Sequence, residues 1–71
     1  MNGLDQLAER EYQQLRAAHP KMAAYLDLMI IVRPLFGGGY GVLDTIYPTE
    51  EDADEARKAA IMLELVRVSR I

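Results

Sequence analysis

Residues Leu28 to Tyr47 read LMIIVRPLFGGGYGVLDTIY, and the way this stretch folds decides the architecture. Before Arg33, Met29-Ile30-Ile31-Val32 closes an apolar run that begins at Met22 and contains one charge, Asp27. After Arg33 come Pro34 and four of the five glycines, Gly37, Gly38, Gly39 and Gly41. Two readings compete. In the first, a helix that starts at Pro20 continues to Val32, carried by the helix formers Ala23, Ala24, Leu26, Leu28 and Met29. Residues 33–47 then form a glycine-rich loop, long by the standard of compact domains. In the second, the β-branched residues Ile30, Ile31 and Val32 sit in a strand. Gly37-Gly38-Gly39 turns that strand back, and Tyr40 to Tyr47 returns beside it. Tyr40, Val42 and Ile46 alternate with Gly41, Leu43, Thr45 and Tyr47, and neither set is cleanly apolar, so we take the first reading. The expected fold is all-α: a small three-helix domain with a Gly-rich loop between helices 2 and 3. The alternative is α+β, an αββα chain with a hairpin at residues 28–47.

The flanks are simpler. Leu4 to Ala18 has helical periodicity, with Leu4, Leu7, Ala8, Glu11, Leu15 and Ala18 on one face and Tyr12 at its edge. Asn2 or Gly3 suits the cap and Asp5 the first turn. Pro20 ends this helix and starts the next. Thr49 caps a third helix, with Asp52 where a capping box places glutamate. Glu50, Glu51 and Asp52 meet the positive end of the helix dipole, and Arg67 and Arg70 meet its negative end. Asp54 and Lys58 stand at i, i+4. Ala56, Ala59, Ala60, Leu63 and Val66 form the expected core stripe, widened by Ile61, Leu65 and Val68.

Size argues for self-association. The chain has 71 residues, and folding a chain of this mass hides roughly 7,000 Å². Burial then contributes roughly 100 kcal/mol, and ordering the chain costs about as much. There is no cysteine and one histidine, so neither a disulfide nor a zinc staple is expected. The second helix is apolar nearly all round and needs cover that two short helices do not supply. A second copy is the natural cover, through Tyr25, Ile30, Ile31 and Leu63, giving a dimer or higher oligomer.

Charge and composition narrow the function. The net charge is −3 and the eight Lys and Arg form no block, so direct nucleic-acid binding is not expected. Met1 to Gln6 lacks the basic and apolar regions of a signal peptide, and the longest apolar stretch is far short of a membrane span, so a cytoplasmic setting is expected. Hydrophobic residues at 51% mark a globular chain; we read residues 1–71 as a single small helical domain.

Phe36-Gly37-Gly38-Gly39-Tyr40-Gly41 is the most suggestive motif. Consecutive glycines free backbone N–H groups for an anion, aromatic rings flank them, and Arg33 is the nearby cation. Arg33, Gly37, Gly38, Gly39 and Tyr40 are therefore the candidate ligand site for an anionic, nucleotide-like molecule. It has neither the lysine of a P-loop nor the strand-then-helix setting of a dinucleotide fingerprint. Asp27, alone in an apolar helix, needs a cation from another helix. Glu51-x-x-Asp54 is similar to the helical carboxylate spacing by which all-α nucleotide pyrophosphatases hold magnesium, but the required second acidic pair is missing. His19 reads as a turn residue, and no nucleophile–base pair is visible, so neither an enzyme, a metal nor a cofactor is expected. The stretch Met62 to Ile71 resembles the tails of small phage proteins, too short a match to assign a family. The expected role is a non-enzymatic protein-interaction or regulatory module, phage- or prophage-borne, working as a homo-oligomer. An unknown protein partner would meet the acidic face Glu50, Glu51 and Glu55. The alternative is a small-ligand binder using the glycine loop at a subunit junction.

Overall fold

The computed structural model describes residues 3–70, with side chains from residue 8 onward; the expected cap Asn2, the side chains of Leu4, Asp5 and Leu7, and Ile71 lie outside what is described, while Gly3, the other expected cap, is the first helical residue. Helix α1 spans Gly3–Ala18 and α2 spans Pro20–Met29. Three short strands follow, β1 (Arg33–Pro34), β2 (Tyr40–Val42) and β3 (Thr45–Tyr47), and then α3, Glu50–Ser69. The strands form an antiparallel sheet in the order β1-β2-β3. The all-α expectation is therefore corrected: the glycine-rich segment is a small sheet, nearer to the α+β alternative but with three strands in place of two.

The correction has a local cause. Helix α2 makes its last bond from Ile30 N–H to the Leu26 carbonyl at 2.8 Å, and Ile30 itself is extended, φ −104° and ψ 99°. Ile30, Ile31 and Val32 prefer extended backbone, and Pro34 excludes helix at Arg33. Pro34 has no N–H to donate and sits on the edge strand, where that is tolerated. Arg33 pairs with Gly41 and Pro34 with Tyr40. Across the other side of β2, Tyr40 pairs with Tyr47, Gly41 with Ile46 and Val42 with Thr45. The β1–β2 turn uses Gly37, Gly38 and Gly39 at φ +97°, +109° and +88°. Leu35 N–H donates to the Gly39 carbonyl at 3.0 Å and Gly38 N–H to the Leu35 carbonyl at 3.1 Å, closing it.

Helix α3 begins as its sequence says. Asp52 N–H donates to Thr49 Oγ1 at 3.1 Å, and Glu50, Glu51 and Asp52 occupy the first turn. Its inner face, however, differs from the expected stripe. The core consists of Tyr12, Ala23, Leu26, Ile30, Val42, Ala53, Ile61 and Leu65. Leu63, expected inside, is 62% exposed, and Ala59 is exposed too. The buried row is Ala53, Ile61 and Leu65, at four-residue multiples, and Arg57 occupies the gap in it. In α1 the face is likewise rotated: Tyr12 is buried, Leu15 packs beside it, and Ala8, Glu11 and Ala18 are exposed.

Candidate functional site

A polar cluster of Arg16, Asp27 and Arg57 ties the three helices together. Arg16 reaches from α1 to Asp27 on α2 with both terminal nitrogens, Nη1 to Oδ1 at 2.9 Å and Nη2 to Oδ2 at 2.6 Å. From α3, Arg57 donates Nε–H to the Ile30 carbonyl at 2.7 Å and Nη2–H to the Asp27 carbonyl at 3.2 Å, and its Nη2 lies 3.6 Å from Asp27 Oδ1. Arg57 thus caps the exposed carbonyl end of α2, where the helix dipole favours a cation. The hydrogen bonds from Arg16 hold the Asp27 carboxyl below the ordinary carboxylate range, against burial and aided by the Arg16 and Arg57 charges. Asp27 finds its cations within its own chain.

Tyr12 stands next to this cluster. Arg16 lies 5.5 Å and Lys58 5.1 Å from its ring centre, two cation–π contacts. Lys58 is paired with Glu9 across α1 and α3, not with Asp54 on its own helix. A shallow groove of about 330 Å³ runs here, lined by Ala8, Glu9, Tyr12, Lys58, Ala59 and Met62 among others. Asp27 and Glu9 are ion-paired, so these contacts hold the helices together, while Glu55, which also lines the groove, is exposed.

The glycine-turn candidates are only partly brought together. Gly37, Gly38 and Gly39 share the β1–β2 turn, beside a fully exposed Phe36. Arg33 points the other way along the sheet: its Nη2 donates to the Leu43 carbonyl at 3.3 Å, in the β2–β3 turn. Tyr40 is half-buried and packs on the core. The structure thus turns Arg33 away from the glycine turn and packs Tyr40 on the core, while Phe36 stays exposed beside the turn. Glu50, Glu51 and Glu55 are all exposed on the first turns of α3. His19 sits at the α1–α2 junction, where its N–H donates to Leu15 and its carbonyl accepts from Ala23. Among the described residues no cluster of metal-ligating side chains occurs, and no helix is long and apolar enough to cross a membrane.

Of the four expected self-association residues, Ile30 is withdrawn into the protein's own core, 6% exposed. Tyr25, Ile31 and Leu63 are on the surface at 56%, 47% and 62% exposure. The pattern of apolar residues missed their companions. Leu28 and Met29 extend the Tyr25 face of α2, and Met29, Ile31 and Leu43 share a hollow with Arg33. Leu43 was invisible as a surface residue because nothing in the sequence marks it as a turn position. No protein-family model matches the chain, and comparison with curated proteins and with solved structures likewise yields no match.

Proposed function

We propose that this protein is a non-enzymatic interaction module that works as a homo-oligomer, in the cytoplasmic setting inferred from its sequence. The carrying observation is unspent apolar surface. Among the described residues, eight large apolar side chains are exposed, as many as there are residues in the core. The folded chain exposes 5467 Å², against about 4,500 Å² for a compact protein of this mass. Its radius of gyration is 13.2 Å, where about 11 Å is typical for the length. The excess, roughly 1,000 Å², is surface that a more compact chain of this mass would hide. A second copy of the chain can cover part of that surface, since a two-fold contact sets the same patch of both subunits against each other.

Light scattering at micromolar concentration tests the reading. A mass of two or more chains is expected. A stable 8.0 kDa monomer with a high melting temperature would overturn it. Binding of an ion-paired cluster such as Arg16–Asp27–Arg57 to a metabolite is not required by this reading, and a metabolite panel should leave the melting temperature unchanged.

A further inference from the structure

The outer face of α3 has a charge and shape pattern that fits itself in reverse. Asp52, Glu55, Ala59, Leu63 and Arg70 follow one another at three- or four-residue steps, or their sum, and all are exposed. The upper half of this face is acidic, the middle is apolar, and the lower end is basic. Positions 52 and 70, 55 and 67, and 59 and 63 are each symmetric about position 61. We infer that a second copy of the chain docks antiparallel along this face, about a two-fold axis passing beside Ile61; the inference rests on the homo-oligomer reading above.

In this arrangement Glu55 meets Arg67 of the partner subunit, and Asp52 meets Arg70 of the partner subunit. Each pair occurs twice by symmetry, as an isologous contact requires. Leu63 packs on Ala59 of the partner subunit, and the alanines at 56 and 59 let the helix axes approach to about 8 Å. A parallel pairing sets acid against acid and base against base, so the same charges select direction. Arg67 is available for this: its side chain is 71% exposed and makes one bond, to Glu64 on its own helix at 3.1 Å. A guanidinium has donors to spare beyond that bond.

The test combines distance and charge exchange. The chain has no cysteine, so Ser69→Cys takes a single nitroxide label outside the charge pairs. Eight residues from the axis at 1.5 Å each, the two labels of an antiparallel dimer lie about 24 Å apart along the helix, whereas a parallel pairing brings them within about 10 Å. Glu55→Arg and Arg67→Glu should each raise the dimer dissociation constant about tenfold at low salt, and the double exchange should restore it. Leu63→Glu should give monomers with an unchanged circular dichroism spectrum, since Leu63 is outside the core. A wild-type protein that is monomeric overturns both this inference and the homo-oligomer reading. A dimer that survives Leu63→Glu and is broken by Leu28→Glu or Met29→Glu overturns this inference alone, placing the interface on α2. Close labels, or a double exchange that fails to restore affinity, also overturn it.

Discussion

Arg16 and Asp27 meet as a two-bond ion pair across the α1–α2 junction, Nη1 to Oδ1 at 2.9 Å and Nη2 to Oδ2 at 2.6 Å. The pair is about one-third exposed, 27% for Arg16 and 35% for Asp27, so water screens part of its energy. Asp27→Asn removes the charge and one of the two good acceptors while keeping the shape. It should cost about 1–2 kcal/mol in urea denaturation, less than a fully buried pair.

The same residue sets a pH dependence. The folded-state pKa of Asp27 is lowered, first by the Arg16 hydrogen bonds. A carboxyl depressed on folding stabilises above its unfolded pKa, about 3.9, and that contribution disappears as pH falls through this value toward the folded one. The wild-type urea midpoint should therefore fall from pH 5 to pH 3 more steeply than that of Asp27→Asn. Parallel profiles for the two proteins would show that the pair is too screened to matter.

The α3 face assignment gives the clearest contrast. Ile61 and Leu65 are both fully buried, and Leu63 is not. Leu65→Ala should cost about 2–5 kcal/mol through the cavity it leaves. Leu63→Ala, measured at concentrations where the chain is monomeric, should stay within about 0.5 kcal/mol of wild type. Equal losses would return Leu63 to the core.

Much of the helical framework was legible because its signals are local. Pro20 and Thr49 fix helix starts by backbone chemistry that needs no tertiary context. Thr49→Ala should accordingly cost about 1 kcal/mol, the usual worth of a cap. The inner faces were not legible, for one physical reason. Arg16 and Arg57 count as polar in any periodicity, yet both extend inward from helices whose other inner residues are apolar, laying their stems along the core to reach Asp27. With Arg57 read as outward, the row Ala53, Ile61, Leu65 is broken and the alanine stripe with Leu63 wins by default. Asp27 was the available clue: an aspartate in an apolar helix demands cations, and two guanidiniums on the neighbouring helices answer it. The sheet was hidden because β1 is two residues long and its pairing is decided by contacts with β2, not by its own pattern.

The two turns of the sheet respond to substitution in opposite directions. At Gly39 a side chain faces two obstacles. The φ of +88° strains any L residue, and a Cβ would stand 3.2 Å from Ile46 Cγ2 and 3.3 Å from the Tyr47 carbonyl oxygen. At Gly38 the φ of +109° is just as unfavourable, but nothing lies within 4 Å of the added atom. Gly39→Ala should therefore destabilise more than Gly38→Ala, which carries the backbone cost of about 1–2 kcal/mol alone. In the β2–β3 turn the strain is already present: Leu43 sits at φ +53°, a region that costs a leucine about 1 kcal/mol and that asparagine tolerates. Its side chain is 57% exposed, so little packing is lost on replacement. Leu43→Asn should raise the urea midpoint of the monomer, by up to about 1 kcal/mol in stability, while Gly39→Ala lowers it. If Leu43→Asn destabilises instead, the leucine is held by contacts with Met29 and Ile31 across their shared hollow, and that apolar corner belongs to the folded core.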